Sequence, residues 1–186
     1  MRTSLFVPFV DYLKTRKRLH IKFLMPIIFA LVVLTTLQTF IFIDYIVIDE
    51  VLSIFSTIIN VQVNVIAILL SFSIAIMTIL VSSDSGSLQR LKEEYDEYGR
   101  YKGLKNDKYD GGCRQLSLFQ IMLSNITYVV FIEIAYLVIL VLFVIFQMVL
   151  PPQVILFLIP VCVFFIIHIL HVLLESVSFM YLTFWR

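Results

Sequence analysis

Four ionisable side chains stand inside otherwise apolar runs of this chain: Glu133, His168, His171 and Glu175. The last three are spaced 3 and then 4 residues apart, which puts them on one face of a helix. Glu133 lies 17 residues before Leu150 and His168 lies 17 residues after Pro151. A tight hairpin through Pro151-Pro152-Gln153 therefore sets both at one depth, on the order of 25 Å from the turn. Asn125 and Glu175 match in the same way, 25 and 24 residues from the turn. A carboxylate taken out of water is costly, and an imidazole within hydrogen-bonding reach offsets part of that cost. Two chemistries suit the group: a buried polar clasp between helices or subunits, and a relay or lining for a proton or ion path. A metal centre is not expected, because one pair of histidines three apart lacks a third confirmed ligand.

The elements that must position these residues are apolar helices. The chain has 186 residues, 61% of them hydrophobic, with 17 Phe and a mean hydropathy of +1.01. A soluble domain holds roughly 45–50% apolar residues. About 20 predominantly apolar residues cross a bilayer as a helix, and four such runs are predicted at 24–46, 52–81, 120–149 and 153–182. The fold class expected is all-α: a polytopic membrane protein with four transmembrane helices. The first run is too long for a cleavable signal and is expected to remain as an anchor. The 14 Lys and Arg residues fall in 1–22, in 83–114 and at Arg186, and the other two connections carry none. The positive-inside rule then predicts that both termini and the 83–114 loop face the cytoplasm. On that basis Cys113 and Cys162 are expected to stay free, and the Asn125-Ile126-Thr127 sequon is expected to go unused.

Four segments follow. Residues 1–22 are a basic arm of net charge +5, read as an amphipathic helix on the inner leaflet, with Phe9, Val10 and Leu13 sharing a face. Lys14, Arg16, Lys17 and Arg18 are its expected lipid-headgroup contacts. The same residues serve a plainer purpose as an orientation anchor for the first helix. Residues 23–82 hold helices 1 and 2, with Asn60, Gln62 and Asn64 in the second read as helix-packing contacts or as pore lining. Residues 83–114 form a charge-neutral loop holding all five glycines of the chain. Leu88, Leu91, Tyr95 and Tyr98 are spaced 3, 4 and 3 apart, an apolar stripe on a short helix. So short a stripe cannot form its own core, so with Tyr101 it is the expected docking surface for a partner, or packs within its own protomer. Residues 115–186 form the long helical hairpin of helices 3 and 4.

No nucleophile–base arrangement, glycine-rich phosphate loop or cysteine cluster is visible in the sequence, so neither an enzyme nor a cofactor is expected. Small multidrug transporters place their key Glu in helix 1, which has none here, and tetraspanin-like proteins need a large outer loop. The size, the four helices, the minimal outer turns and the tyrosine-rich loop LQRLKEEYDEYGRYKGLKNDKYDGG together resemble the membrane subunit of the Kiwa antiphage system, the KwaA family. That resemblance implies a bacterial inner-membrane sensor or scaffold that forms a homo-oligomer. It further implies a soluble cytoplasmic partner that engages DNA, with no direct nucleic-acid contact by this chain. The expected function is such a scaffold, with the lipid bilayer, copies of itself and a soluble protein as partners. The alternative is a small oligomeric channel or membrane-permeabilising effector that uses the intramembrane Glu and His.

Overall fold

The structure, a computed structural model, describes residues 12–13, 19–47, 50–82, 104–105, 113–114 and 117–185. Its elements are α1 (Leu19–Phe42), α2 (Glu50–Ser82), β1 (Leu104–Lys105), β2 (Cys113–Arg114), α3 (Leu118–Phe146) and α4 (Pro152–Trp185). All four helices are long and apolar enough to cross a membrane. Helix is the form such segments must take, because hydrocarbon offers backbone N–H and C=O groups no partner and a helix satisfies them internally. α2, α3 and α4 run to 33, 29 and 34 residues. At 1.5 Å per residue each is about 44–51 Å long, longer than the roughly 30 Å hydrocarbon layer.

The boundaries depart from the expected ones where local hydrogen bonding takes over. α1 stops at Phe42, four residues short of the predicted end, because Asp44 takes a left-handed conformation (φ 54°). Its N–H donates to the Ile41 carbonyl at 3.1 Å, and the Tyr45 N–H reaches back to the Phe40 carbonyl at 3.0 Å. This is the Schellman pattern, with its usual hydrophobic contact supplied by the Phe40 and Tyr45 rings, 5.5 Å apart. Val47 N–H then donates to the Glu50 carboxylate at 3.4 Å, half of a capping box opening α2. α3 opens with the complete box: Ser117 N–H donates to Gln120 Oε1 at 3.2 Å, and Gln120 N–H donates to Ser117 Oγ at 3.3 Å. Pro152 occupies the first turn of α4, where a missing N–H costs nothing. In the 83–114 segment, β1 and β2 pair antiparallel, Leu104 with Arg114 and Lys105 with Cys113. This short ladder was not foreseen in the sequence.

The chain divides into two compact units. One comprises His20–Ser71 and Ile132–His171. Its buried side chains include Val51, Phe55, Ile59 and Ile66 of α2, Tyr136 and Leu140 of α3, and Ile155, Ile159 and Ile169 of α4. α1 contributes little: Pro26 is its one buried side chain among the described residues. The other unit comprises Met1–Leu19, Phe72–Phe131 and Val172–Arg186. Leu80, Met122 and Ile126 form a cluster there, flanked by Ile76, Met77, Leu118, Phe119 and Met180. Tyr12 is fully buried in this unit and stacks on Tyr128 of α3, ring centroids 3.7 Å apart. Of the arm expected to lie on the inner leaflet, Tyr12 and Leu13 are described, whereas Phe9 and Val10 lie outside the described residues.

Candidate functional site

Each ionisable residue singled out inside the apolar runs lies on a described helix. Glu133 on α3 and His168 on α4 belong to the same compact unit, and both are buried, 0% and 2% exposed. Equal depth from the hairpin turn was the feature that tied them together. His171 is half-buried in that unit, whereas Glu175 is half-buried and belongs to the other one. All four engage partners in the structure. The His168 imidazole packs in a triangle with two nearly parallel phenyl rings, Phe23 of α1 at 4.8 Å and Phe164 of its own helix at 5.9 Å, which are themselves 6.5 Å apart. Among the described residues no three His, Cys, Asp or Glu side chains converge as a metal would require.

A second polar cluster lies in the same unit. The Tyr136 hydroxyl donates to Gln62 Oε1 and stands 3.1 Å from the Cys162 carbonyl, while Gln62 Nε2 donates to that carbonyl at 3.5 Å. Three helices are thereby joined through one glutamine, one tyrosine and one backbone carbonyl. Phe165 stacks on the Tyr136 ring at 4.8 Å. Gln62 is buried, but its neighbours Asn60 and Asn64, grouped with it in the sequence, are exposed. The helix turns about 200° over two residues, so the three amides never shared a face. Tyr136 was missed, although it stands three residues from Glu133 and therefore on the same helical face.

Gln62, Tyr136 and the Cys162 carbonyl thus form the described interhelical polar contacts, and Glu133 and His168 are buried in the same unit. Cys162 is a free, buried thiol. The proposed docking residues Leu88, Leu91, Tyr95, Tyr98 and Tyr101 lie outside the described residues, as do Lys14, Arg16, Lys17 and Arg18 of the basic arm. Comparison of the chain with protein-family models, curated proteins and solved structures finds no match.

Proposed function

We propose that this chain is a multi-pass membrane scaffold or sensor subunit, assembled with copies of itself, that holds a soluble protein at the cytoplasmic face. The supporting observation is the burial of Glu133 and His168 within a packed helical unit, with the Phe23 ring stacked 4.8 Å from the His168 imidazole. A conducting path through the same residues needs them wet, so their burial favours the clasp over the channel. The Lys and Arg residues other than Arg186 fall in the basic arm and the 83–114 segment, which the positive-inside rule puts on one side of the bilayer. Location in a bacterial inner membrane and a part in antiphage defence rest on the resemblance to the Kiwa membrane subunit alone. No enzymatic step enters this reading.

The test is purification in mild detergent from the native cells, comparing the wild type with a variant whose residues 88–110 are replaced by a Gly/Ser linker. A soluble protein recovered with the wild type and lost with the linker, while the oligomer persists, supports the scaffold. An oligomer with no partner in either case removes it. Conductance measured in bilayers and abolished by Glu133→Ala with assembly intact establishes the channel instead.

A further inference from the structure

α2 carries one stripe of polar and small residues on the surface it exposes. Its buried side chains between 51 and 66 are Val51, Phe55, Ile59, Gln62 and Ile66. Its exposed side chains include Ser53, Thr57, Asn60, Asn64, Ala67 and Ser71. These six are spaced 4, 3, 4, 3 and 4 apart, a heptad stripe roughly opposite the buried one. Apolar side chains such as Val61, Val65, Ile68 and Phe72 are exposed beside this stripe, so the polar and small residues form one strip of an otherwise apolar outer surface. Two of its hydroxyls are internally satisfied: Thr57 donates to the Ser53 carbonyl and Ser71 to the Ala67 carbonyl, each at 2.9 Å. The carboxamides of Asn60 and Asn64 make no hydrogen bond among the described residues. Nor does their depth offer them water. The midpoint of Glu50–Ser82 falls at Ile66, so Asn64 and Asn60 stand about 3 Å and 9 Å from it along the helix axis.

We infer that this face of α2 is the contact between copies of the chain, with Asn60 and Asn64 hydrogen-bonding the same two residues of a second copy. The occupant follows from the chemistry. A carboxamide carries both an acceptor and donors, so it is complementary to another carboxamide. Copies inserted in the same orientation bring Asn60 to Asn60 and Asn64 to Asn64 at equal depth without adjustment. The small flanking residues Ser53, Thr57, Ala67 and Ser71 let two backbones approach closely, as in other membrane helix pairs. The inference rests on the self-assembly proposed above and adds the surface through which it occurs.

The test uses the full chain in vesicles of native lipid, with Cys113→Ser and Cys162→Ala to clear the background; the latter keeps the carbonyl that Gln62 binds. Single cysteines introduced by Thr57→Cys, Ala67→Cys or Ser71→Cys should join two copies on oxidation, and those from Val65→Cys or Phe72→Cys should not. An interhelical hydrogen bond in a membrane is worth about threefold in association on average. Asn60→Leu with Asn64→Leu should therefore lower the joined fraction on the order of tenfold at fixed dilution in lipid. Joining confined to cysteines on another helix, such as Val32→Cys or Val138→Cys, overturns this interface but leaves self-assembly standing. No joining at any position, with one copy per particle by single-molecule photobleaching, overturns both. Rapid labelling of Ala67→Cys by a membrane-impermeant maleimide, without joining, shows that the face lines water and also overturns the inference.

Discussion

Removing the Tyr136 hydroxyl while keeping its ring is the most direct probe of what holds the α2, α3 and α4 segments of one unit together. Tyr136→Phe deletes the donor to Gln62 Oε1 and the contact with the Cys162 carbonyl, and leaves the stack on Phe165 in place. Gln62→Leu deletes both amide contacts and leaves the hydroxyl its 3.1 Å approach to the carbonyl. Interhelical hydrogen bonds in membranes contribute about 0.6 kcal/mol on average and about 1.7 at most. Each single substitution should therefore cost about 1 kcal/mol. The double variant should cost less than the sum of the singles by about 0.6–1.7 kcal/mol, since the shared bond is lost only once. Unfolding of the full chain from bicelles by SDS, followed by circular dichroism, gives the four free energies. Tyr136→Ala calibrates the assay, because losing a buried ring costs about 3–5 kcal/mol in soluble proteins. If the two single effects simply add, within about 0.3 kcal/mol, the clasp is not an energetic unit and the reasoning fails.

Two other substitutions read the local devices. Asp44→Gly removes the steric penalty of a left-handed residue and should stabilise the chain by up to about 1 kcal/mol in the same SDS titration, whereas Asp44→Val should destabilise it by about 1–2 kcal/mol; equal midpoints for the two variants would contradict the Schellman ending of α1. Tyr12→Leu and Tyr128→Leu should be coupled by about 0.5–1.5 kcal/mol, the worth of a stacked aromatic pair beyond its area, and independent effects would mean that the arm is not held by that stack.

The four helices were legible because spanning hydrocarbon demands long apolar runs, and composition alone supplies that signal. Their ends were less so. Asp44 stops α1 through a left-handed turn that the hydropathy of Ile43, Tyr45 and Ile46 conceals. The Ser117–Gln120 box was readable as a Ser followed three residues later by Gln, yet the apolar run drew the start of α3 two residues too late. That Glu133 and His168 stand in one compact unit was legible because a hairpin brings residues equally far from its turn alongside each other. Which face of α3 turns inward was not, because that helix is apolar all round and carries no moment to orient it. Tyr136 was hidden for that reason. Gln62 was read as a helix-packing or pore-lining residue, but its partner Tyr136 was not, because nothing in the sequence ties two residues 74 apart on different helices.

The clasp also sets a timetable for biosynthesis. Tyr136 follows Gln62 by 74 residues, and Cys162 follows it by 100. At about 5–20 residues per second, a ribosome takes about 4–15 s to reach the tyrosine after the glutamine has been made. Through that interval α2 can already be in the bilayer with an amide that has neither of its eventual partners, carried by the apolar residues around it. A chain halted before residue 162 has α1, α2 and α3 and the Gln62–Tyr136 pair, but neither the Cys162 carbonyl nor most of α4. Insertion and assembly are thus separated in time, and the last hairpin to enter closes a contact that the first hairpin has been waiting to make.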